Sequence, residues 1–259
     1  MRRLFSNIQA LRFVNEYRKG ASLAELGRKY GIAKSSAYNY VSAGNAVRRQ
    51  RHVRRVYTKN ALCIGTYLGM WAGDGCRSFE KRANLYRVRF SLHSEDKANA
   101  ELLNALCRRL FNSEPYYWKT PGVRKVDANL YSKFTYYFPD RYLRVGVDKC
   151  RTVALRVPFS RLSKRFLVGF VSGLAITDGC FTLRRFVFSS VSPRLAKQAA
   201  AILLQLGFRP QVSCAVRKEP NWAPIWRVRL GVRDATKLLK FVNRTATEIM
   251  GRPVVVRSF

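Results

Sequence analysis

The stretch Tyr67-Leu-Gly-Met-Trp-Ala-Gly-Asp74-Gly75 decides the fold of this chain, because a second stretch of the same pattern follows it. About a hundred residues later the sequence runs Val171-Ser-Gly-Leu-Ala-Ile-Thr-Asp178-Gly179. Each copy is an apolar segment that ends abruptly in Asp-Gly-Cys. An apolar segment of this length with small residues at regular spacing predicts a buried helix in each half of the chain.

Small residues recur at every fourth position in both copies, and this spacing places them on one face of a helix. They are Gly65, Gly69 and Gly73 in the first copy and Gly169, Gly173 and Thr177 in the second. Glycine destabilises a helix interior by roughly 1 kcal/mol relative to alanine. A stripe of glycines therefore predicts that the two helices pack against each other nearly backbone to backbone.

This packing would bring Asp74 and Asp178 side by side at the C-terminal ends of the two helices. Gly75 and Gly179 are expected to take the left-handed conformation that ends a helix. A carboxylate at the negative end of a helix dipole is poorly placed for stability. Two such carboxylates held together predict a bound cation.

The paired segments resemble the LAGLIDADG homing endonucleases, and the resemblance extends over about residues 60 to 259. The third-position glycine, the aspartate and the ninth-position glycine of the family's nonapeptide are present in both copies. The second copy, Gly173 to Phe181, is closer to the usual sequence of the family just after the aspartate. Ala72 and Ile176 replace the earlier aspartate of the nonapeptide, which is not the metal ligand in the family.

The resemblance implies an α+β fold, with two pseudo-symmetric αββαββα half-domains packed through their motif helices. We expect an N-terminal all-α module to precede them. The predicted domains are residues 1–58 for a helix-turn-helix module and basic linker, 59–157 for the first half-domain and 158–259 for the second.

The resemblance also implies the site residues. Asp74 and Asp178 would be the catalytic metal-binding pair, with Gly73 and Thr177 beside them in the metal site. Mg²⁺ suits hard oxygen ligands, and other divalent cations can substitute. The family uses a basic residue on the last strand of each half-domain, which indicates Lys133 and, less specifically, Arg227 or Arg229. His93 would hold a water near the metal or contact a phosphate.

Net charge points to a polyanionic partner. The 259 residues carry a formal charge of +34, while 47% of them are hydrophobic, enough for a real core. The six cysteines form no Cys-x-x-Cys pair, which makes zinc unlikely. We find no signal peptide and no run of about 20 apolar residues that would span a membrane. We expect a cytoplasmic, nucleoid-associated monomer, with an organellar location left open.

Residues 1–58 predict a separate helical module. Ser22 and Glu25 form the pattern of a capping box, and Gly31 begins a tight turn before a third helix. The segment resembles the helix-turn-helix of resolvases and transposases, which would place Lys34, Ser35, Ser36 and Asn39 against DNA. A small helical cap that packs on the catalytic body is the alternative.

Alternating polar and apolar residues predict antiparallel strands with one basic face. The strands 85–93, 125–138, 209–217 and 224–232 show this pattern best. Ordinary solvent exposure would give mixed signs, whereas these faces carry almost no acid. A two-stranded ribbon fits the major groove. The predicted DNA contacts of the two half-domains are Arg87, Arg89, Ser91, His93, Lys119, Lys125, Asn129, Arg184, Arg209, Gln211, Ser213, Arg217 and Arg229.

The leading hypothesis is a site-specific DNA endonuclease that makes a metal-dependent double-strand break at a long, nearly non-palindromic target in double-stranded DNA. The alternative is a non-cleaving nucleic-acid-binding protein on the same scaffold. It would be a maturase that binds intron RNA, or a DNA-binding regulator.

Overall fold

The computed structural model describes residues 13, 15–17, 19–33, 37–38, 56, 58–119, 122–182, 185–216 and 222–253. Six predicted DNA contacts lie outside these residues: Lys34, Ser35, Ser36, Asn39, Arg184 and Arg217. Within the described part of the chain, no helix combines the length and apolar character needed to cross a membrane.

The N-terminal segment has a small core of its own. Helix α1 (Leu23–Tyr30) begins at the predicted capping box, in which the Ser22 hydroxyl accepts a hydrogen bond from the Glu25 backbone N–H and the Glu25 carboxylate accepts one from Ser22. Gly31 ends the helix in the left-handed conformation, with φ of 65°. Leu26 packs with Phe13 and Ala37 in a cluster that is separate from the main core. A helix-turn-helix remains a prediction for this segment.

The first half-domain follows the predicted order of helix, two strands, helix, two strands and helix. Its elements are α2 (Ala61–Gly73), β1 (Gly75–Glu80), β2 (Leu85–His93), α3 (Lys97–Phe111), β3 (Tyr116–Lys119), β4 (Lys125–Tyr131) and α4 (Lys133–Tyr137). A connection follows, with a short 3₁₀ helix at each end (Phe138–Arg141 and Phe159–Arg161). Between them lie β5 (Leu143–Arg144), α5 (Lys149–Thr152) and β6 (Ala154–Leu155).

The second half-domain repeats this order. Its elements are α6 (Lys164–Thr177), β7 (Gly179–Thr182), β8 (Arg185–Ser190), α7 (Pro193–Gln205), β9 (Gln211–Ala215), β10 (Ile225–Gly231) and α8 (Val232–Met250). The two antiparallel sheets have the orders β1-β2-β4-β3 and β7-β8-β10-β9. The α+β fold class and the αββαββα repeat are therefore confirmed.

Strand pairing gives the correspondence between the halves. Gly75 pairs with Phe90 in the first sheet, and Gly179 pairs with Phe188 in the second. Phe90 in turn pairs with Ala128, and Phe188 with Val228. Since these residues occupy the same places in the two sheets, residues along each of these strands can be matched to their counterparts by counting from them.

The glycine stripes pack the motif helices backbone to backbone, as predicted. A Cβ atom added to Gly65 would overlap the carbonyl oxygen of Phe166, and one added to Gly173 would overlap that of Thr66. Gly69 and Gly169 are equally tight against the opposite helix. Thr177 is accommodated because it faces Gly73, which leaves room for its hydroxyl.

Two predicted strands are shorter than their patterns suggested. The strand predicted for 125–138 ends at Tyr131, because the Ser132 hydroxyl accepts hydrogen bonds from the N–H groups of Phe134 and Thr135 and starts α4. The strand predicted for 209–217 covers only Gln211–Ala215. It is an edge strand, and Val212 of its expected inward face is 42% exposed.

Candidate active site at the paired ends of the motif helices

Each motif helix delivers one carboxylate as it turns into a strand. The backbone N–H of Asp74 still bonds to the Met70 oxygen at 3.1 Å, and that of Asp178 bonds to the Leu174 oxygen at 3.0 Å. The two residues have φ, ψ of −82°, −8° and −103°, 0°. This is the sparsely populated bridge region, where many active-site residues are found.

The predicted left-handed conformation of the following glycines is wrong. The described glycines with positive φ are all elsewhere in the chain, and Gly75 and Gly179 are strand residues. Glycine is required at both positions because the backbone of the preceding helix leaves no room for a Cβ atom. A Cβ on Gly75 would lie 2.6 Å from the Trp71 carbonyl oxygen, and one on Gly179 would overlap that of Ala175.

The two carboxyl groups share one partly buried site. Burial, and then the negative charge of Asp178, raise the pKa of Asp74 to about 7. Burial raises the pKa of Asp178 to about 6, although the positive charge of Lys149 opposes this shift. A cation bound between the two groups would favour the ionised form of both.

Lys149 is the cation that the fold places at this site, and the sequence did not predict it. Its ammonium donates hydrogen bonds to the carbonyl oxygen of Gly73 at 2.7 Å and to that of Gly75. It also lies 5.1 Å from the centroid of the Trp71 ring. Lys149 opens the four-residue helix α5 in the connection between the halves. No periodic pattern there distinguishes it from the other basic residues.

Of the two basic residues predicted to be catalytic, Arg227 lies on the last strand of its half-domain as expected, whereas Lys133 does not. Lys133 is the first residue of α4 and not a strand residue; its ammonium lies 5.7 Å from the centroid of the Tyr86 ring. Counting from Ala128 and Val228 makes Arg233 its counterpart in the second half. Arg227 is instead the counterpart of Asp127. Catalytic roles for Lys133 and Arg227 stay predictions.

The polar face of the first sheet is basic but contains an acid at its centre. Asp127 accepts a hydrogen bond from Ser91 at 3.1 Å, and its carboxylate lies 3.4 Å from the Lys125 ammonium and 3.6 Å from the Arg89 guanidinium. Arg89 also donates to the sulfur of Cys76 at 3.3 Å. The cations predicted to contact DNA here are thus partly neutralised within the protein.

The other predicted contacts of this sheet differ in accessibility. Asn129 is only 5% exposed and donates to the carbonyl oxygens of Asp127 and Tyr116, so the prediction that it lies on an open surface is wrong. Arg87 donates to the Ser78 hydroxyl at 3.0 Å. His93 and Lys119 are exposed at strand ends.

The second sheet carries its basic residues without an internal acid, since the described strands β7 to β10 contain no Asp or Glu. Arg227 lies between Ser189 and Ser213 of the neighbouring strands, and Arg229 lies between Val187 and Gln211. Arg209 is outside β9, where its backbone N–H donates to the Asp234 carboxylate at 2.8 Å.

The donor set of the site fits a hard divalent cation. Two carboxylates and the carbonyl oxygen of Gly73 are hard oxygen ligands, and Mg²⁺ typically uses only one or two carboxylates while keeping several waters. Among the described residues, no group of three or more His, Cys, Asp and Glu side chains could hold a metal. The Thr177 hydroxyl is engaged within its own helix, where it donates to the Gly173 oxygen at 3.1 Å.

Two antiparallel sheets related by pseudo-symmetry, joined by glycine-packed helices that end in a carboxylate pair, define a two-motif LAGLIDADG fold. A family profile described as "LAGLIDADG-like domain" matches residues 165–244, so the second half-domain is similar to that family. The predicted resemblance is thus confirmed at the level of domain and fold.

Solved structures of the homing endonuclease I-DmoI have the same fold. A structure of mesophilic I-DmoI variants aligns with a TM-score of 0.52 and 19% identity, covering 71% of this chain and 97% of the other. I-DmoI in complex with DNA and Mn gives 0.52 and 20%, with coverages of 71% and 97%. An I-DmoI variant with its target DNA and Mg gives 0.52 and 20%, with coverages of 71% and 98%. No curated protein sequence matches the chain.

Proposed function

We propose that this protein is a site-specific DNA endonuclease that makes a metal-dependent double-strand break at a long, nearly non-palindromic target. The observation that carries the proposal is the carboxylate pair Asp74 and Asp178, held together by glycine-packed helices and raised in pKa. Burial and mutual repulsion disfavour the ionised form of this pair, and a bound cation would favour it. A metal-dependent nuclease site would account for two carboxylates held in this position.

The proposed metal is Mg²⁺, held by Asp74 and Asp178 together with Gly73 and Thr177, the residues that precede them. A divalent cation in such a site supplies a Lewis acid that activates water and stabilises the leaving oxygen of a phosphodiester. The protein's own residues fix the two carboxylates, through the helix packing, and exclude bulk water from them by burial. Structures of I-DmoI with Mn, Ca and Mg support a divalent cation.

The proposed partner is double-stranded DNA, bound along the polar faces of both sheets. Each sheet would contact one half-site, and the two faces differ at corresponding positions, since Asp127 matches Arg227 and the buried Asn129 matches Arg229. Two different faces related by pseudo-symmetry suit a target whose half-sites differ. One chain supplies both motif helices, so we propose that it acts as a monomer.

The test is to incubate the purified protein with a randomised DNA library and Mg²⁺, and to sequence the ends that appear. We expect one family of long sites, cut on both strands, and no cutting by the double variant Asp74→Asn, Asp178→Asn. A protein that binds one DNA or RNA tightly and never cuts it with any divalent metal would be a regulator or a maturase, and the proposed function would be wrong.

A further inference from the structure

Two aromatic side chains lie exposed on the polar face of the first sheet. Tyr116 and Trp118 of the edge strand β3 are 39% and 51% exposed, although tryptophan is highly buried on average in folded proteins. Tyr117 between them points the other way, where its hydroxyl donates to the Ala100 carbonyl oxygen of α3 at 3.0 Å. Because side chains alternate along a strand, Tyr116 and Trp118 lie on the face away from the helices.

Strand pairing identifies the neighbours of Trp118 on this face. Trp118 pairs with Asp127 of β4, and Asp127 pairs with Ser91 of β2, so the three side chains form one row across the sheet. The Ser91 hydroxyl donates to the Asp127 carboxylate at 3.1 Å, which places the row on the polar face. The two inner residues of the row thus bind each other, while the indole ring remains exposed at its outer end.

The second sheet has polar residues at the corresponding places. The pairing of each outer strand with its neighbour matches Trp118 to Ser213 and Tyr116 to Gln211. The edge strand of the second sheet therefore presents hydrogen-bonding groups where that of the first presents aromatic rings. Because serine and glutamine occupy these places in one half, the fold itself does not require an aromatic ring at either of them.

An apolar ring on a strand that faces the major groove suits one chemical feature of DNA. The 5-methyl group of thymine is the apolar substituent that a base pair presents there, whereas the other groups that distinguish the bases are hydrogen-bond donors and acceptors. A methyl group packed against the indole ring removes apolar surface of both groups from water. The single N–H donor of the indole cannot make the bidentate contacts that arginine and glutamine make to bases.

We propose that Trp118 is a specificity-determining residue that contacts the 5-methyl group of a thymine in the half-site bound by the first sheet, with Tyr116 beside it on the same strand. This proposal rests on the DNA-binding surface of the proposed function. The two half-sites are then distinguished by different chemistry. One is read partly through an apolar contact, and the other through hydrogen-bonding side chains such as that of Gln211.

The first test uses the unchanged protein and synthetic DNA. Duplexes that bind in Ca²⁺ are selected from a randomised library, and each thymine of the selected site is then replaced in turn by deoxyuridine, which removes only the methyl group. Fluorescence anisotropy measures the affinity for each duplex. We expect deoxyuridine to weaken binding roughly fourfold at a thymine of one half-site, as the loss of one buried methyl group does. If every deoxyuridine duplex binds as tightly as the thymine duplex, the proposed contact is wrong.

The second test assigns the contact to Trp118. Trp118→Ser introduces the residue that the second sheet has at this place, and Trp118→Gln is available if the serine variant does not fold. Each variant should bind the thymine duplex at least fourfold more weakly, and should bind the thymine and deoxyuridine duplexes equally, because the methyl group has lost its partner. Leu204→Ser is the matched control, since it removes a side chain that is 65% exposed on helix α7, outside both polar sheet faces. It should keep the full response to deoxyuridine.

The outcomes separate this proposal from the proposed function. If the Trp118 variants respond to deoxyuridine as strongly as the unchanged protein, another residue contacts the methyl group and the role of Trp118 is wrong, while site-specific DNA binding stands. If the library yields no preferred duplex, site-specific DNA binding and the Trp118 contact both fail. A selected site that is not cut in Mg²⁺ would overturn the cleavage function alone, and the deoxyuridine response would still decide the role of Trp118.

Discussion

Asp74 and Asp178 sit where a carboxylate weakens a protein: at a helix C-terminus, partly buried and close to another carboxylate. Their pKa values are raised in the folded protein. The folded state therefore holds protons that the unfolded state has lost at neutral pH, and the penalty grows as the pH rises from about 4 to above 7. Residues kept under such a penalty point to chemistry rather than to stability.

Replacing Asp178 by Asn should stabilise the metal-free protein at pH 8. The substitution removes one of two repelling charges and keeps the shape of the side chain, and each kcal/mol gained raises the melting temperature by about 2–4 °C in a chain of this size. The stabilisation that Mg²⁺ gives the unchanged protein should vanish. Cutting of both DNA strands should be impaired, as nicking and linearisation of a plasmid would show.

Glu80→Gln is the matched control, since it removes an exposed carboxylate from the end of β1. It should change neither the metal-free melting temperature nor its response to Mg²⁺. A variant at Asp178 that cuts both strands as well as the unchanged protein would remove this residue from the mechanism.

Asp127 distinguishes the polar face of the first sheet from that of the second, which has an arginine at the corresponding position. Asp127→Asn should release Lys125 and Arg89 from their internal acid, so that they can neutralise phosphates. We expect tighter binding to unrelated DNA and a salt dependence whose slope steepens by about 1 for each newly engaged phosphate. Fluorescence anisotropy over a series of salt concentrations measures this slope. An unchanged slope, with altered preference for one base pair, would mean that Asp127 instead contacts a base.

Among the elements, those defined by a strong pattern were predictable. The glycine stripes gave the helix pair, and alternation gave the buried faces of β2 and β10, where Val88 and Val228 are fully buried. The sequence patterns predicted the wrong strand bounds where local structure opposes the alternation. The Ser132 cap ended β4 early, and β9 lies at a sheet edge that buries neither face. Lys149 was missed because its role comes from tertiary placement in a connection without periodicity.

The packing of α2 against α6 leads to a prediction about stability. Gly173→Ala would gain roughly 1 kcal/mol of helix propensity. Its new methyl group, however, would overlap the Thr66 carbonyl oxygen and push the backbones apart. We expect a net destabilisation of about 1–3 kcal/mol, as for other overpacked cores. Urea unfolding of the metal-free protein measures it.

Gly231→Ala is the matched control for this change, because nothing lies within 4 Å of the Cβ atom it would add and its φ is −71°. Since Gly231 is the N-cap of α8, the variant should lose only the preference for glycine over alanine at that position, a smaller loss than the backbone overlap at Gly173 causes. Equal stability of the two variants would show that the helices can separate without loss, contrary to the backbone contact described for them.

At the scale of the whole molecule, the core is divided unequally. One continuous hydrophobic cluster spans both half-domains and the motif helices, whereas the N-terminal residues Phe13, Leu26 and Ala37 form a cluster apart from it. Both aspartates belong to the large body. This division suggests that the N-terminal segment contributes affinity and that the body contributes cleavage.

A protein that begins at Val56 should therefore fold and still cut its target, but only at higher enzyme concentration or lower salt. The removed segment holds thirteen Lys or Arg and two Glu, so binding loses an electrostatic contribution that salt also weakens. Binding and cleavage are measured on the same target over a series of salt concentrations, beside the full chain. We expect the shortened protein to have a shallower salt dependence and the same cut positions. If it folds and binds that target but leaves both strands intact at every concentration, the N-terminal segment takes part in the chemistry and the division of labour is wrong.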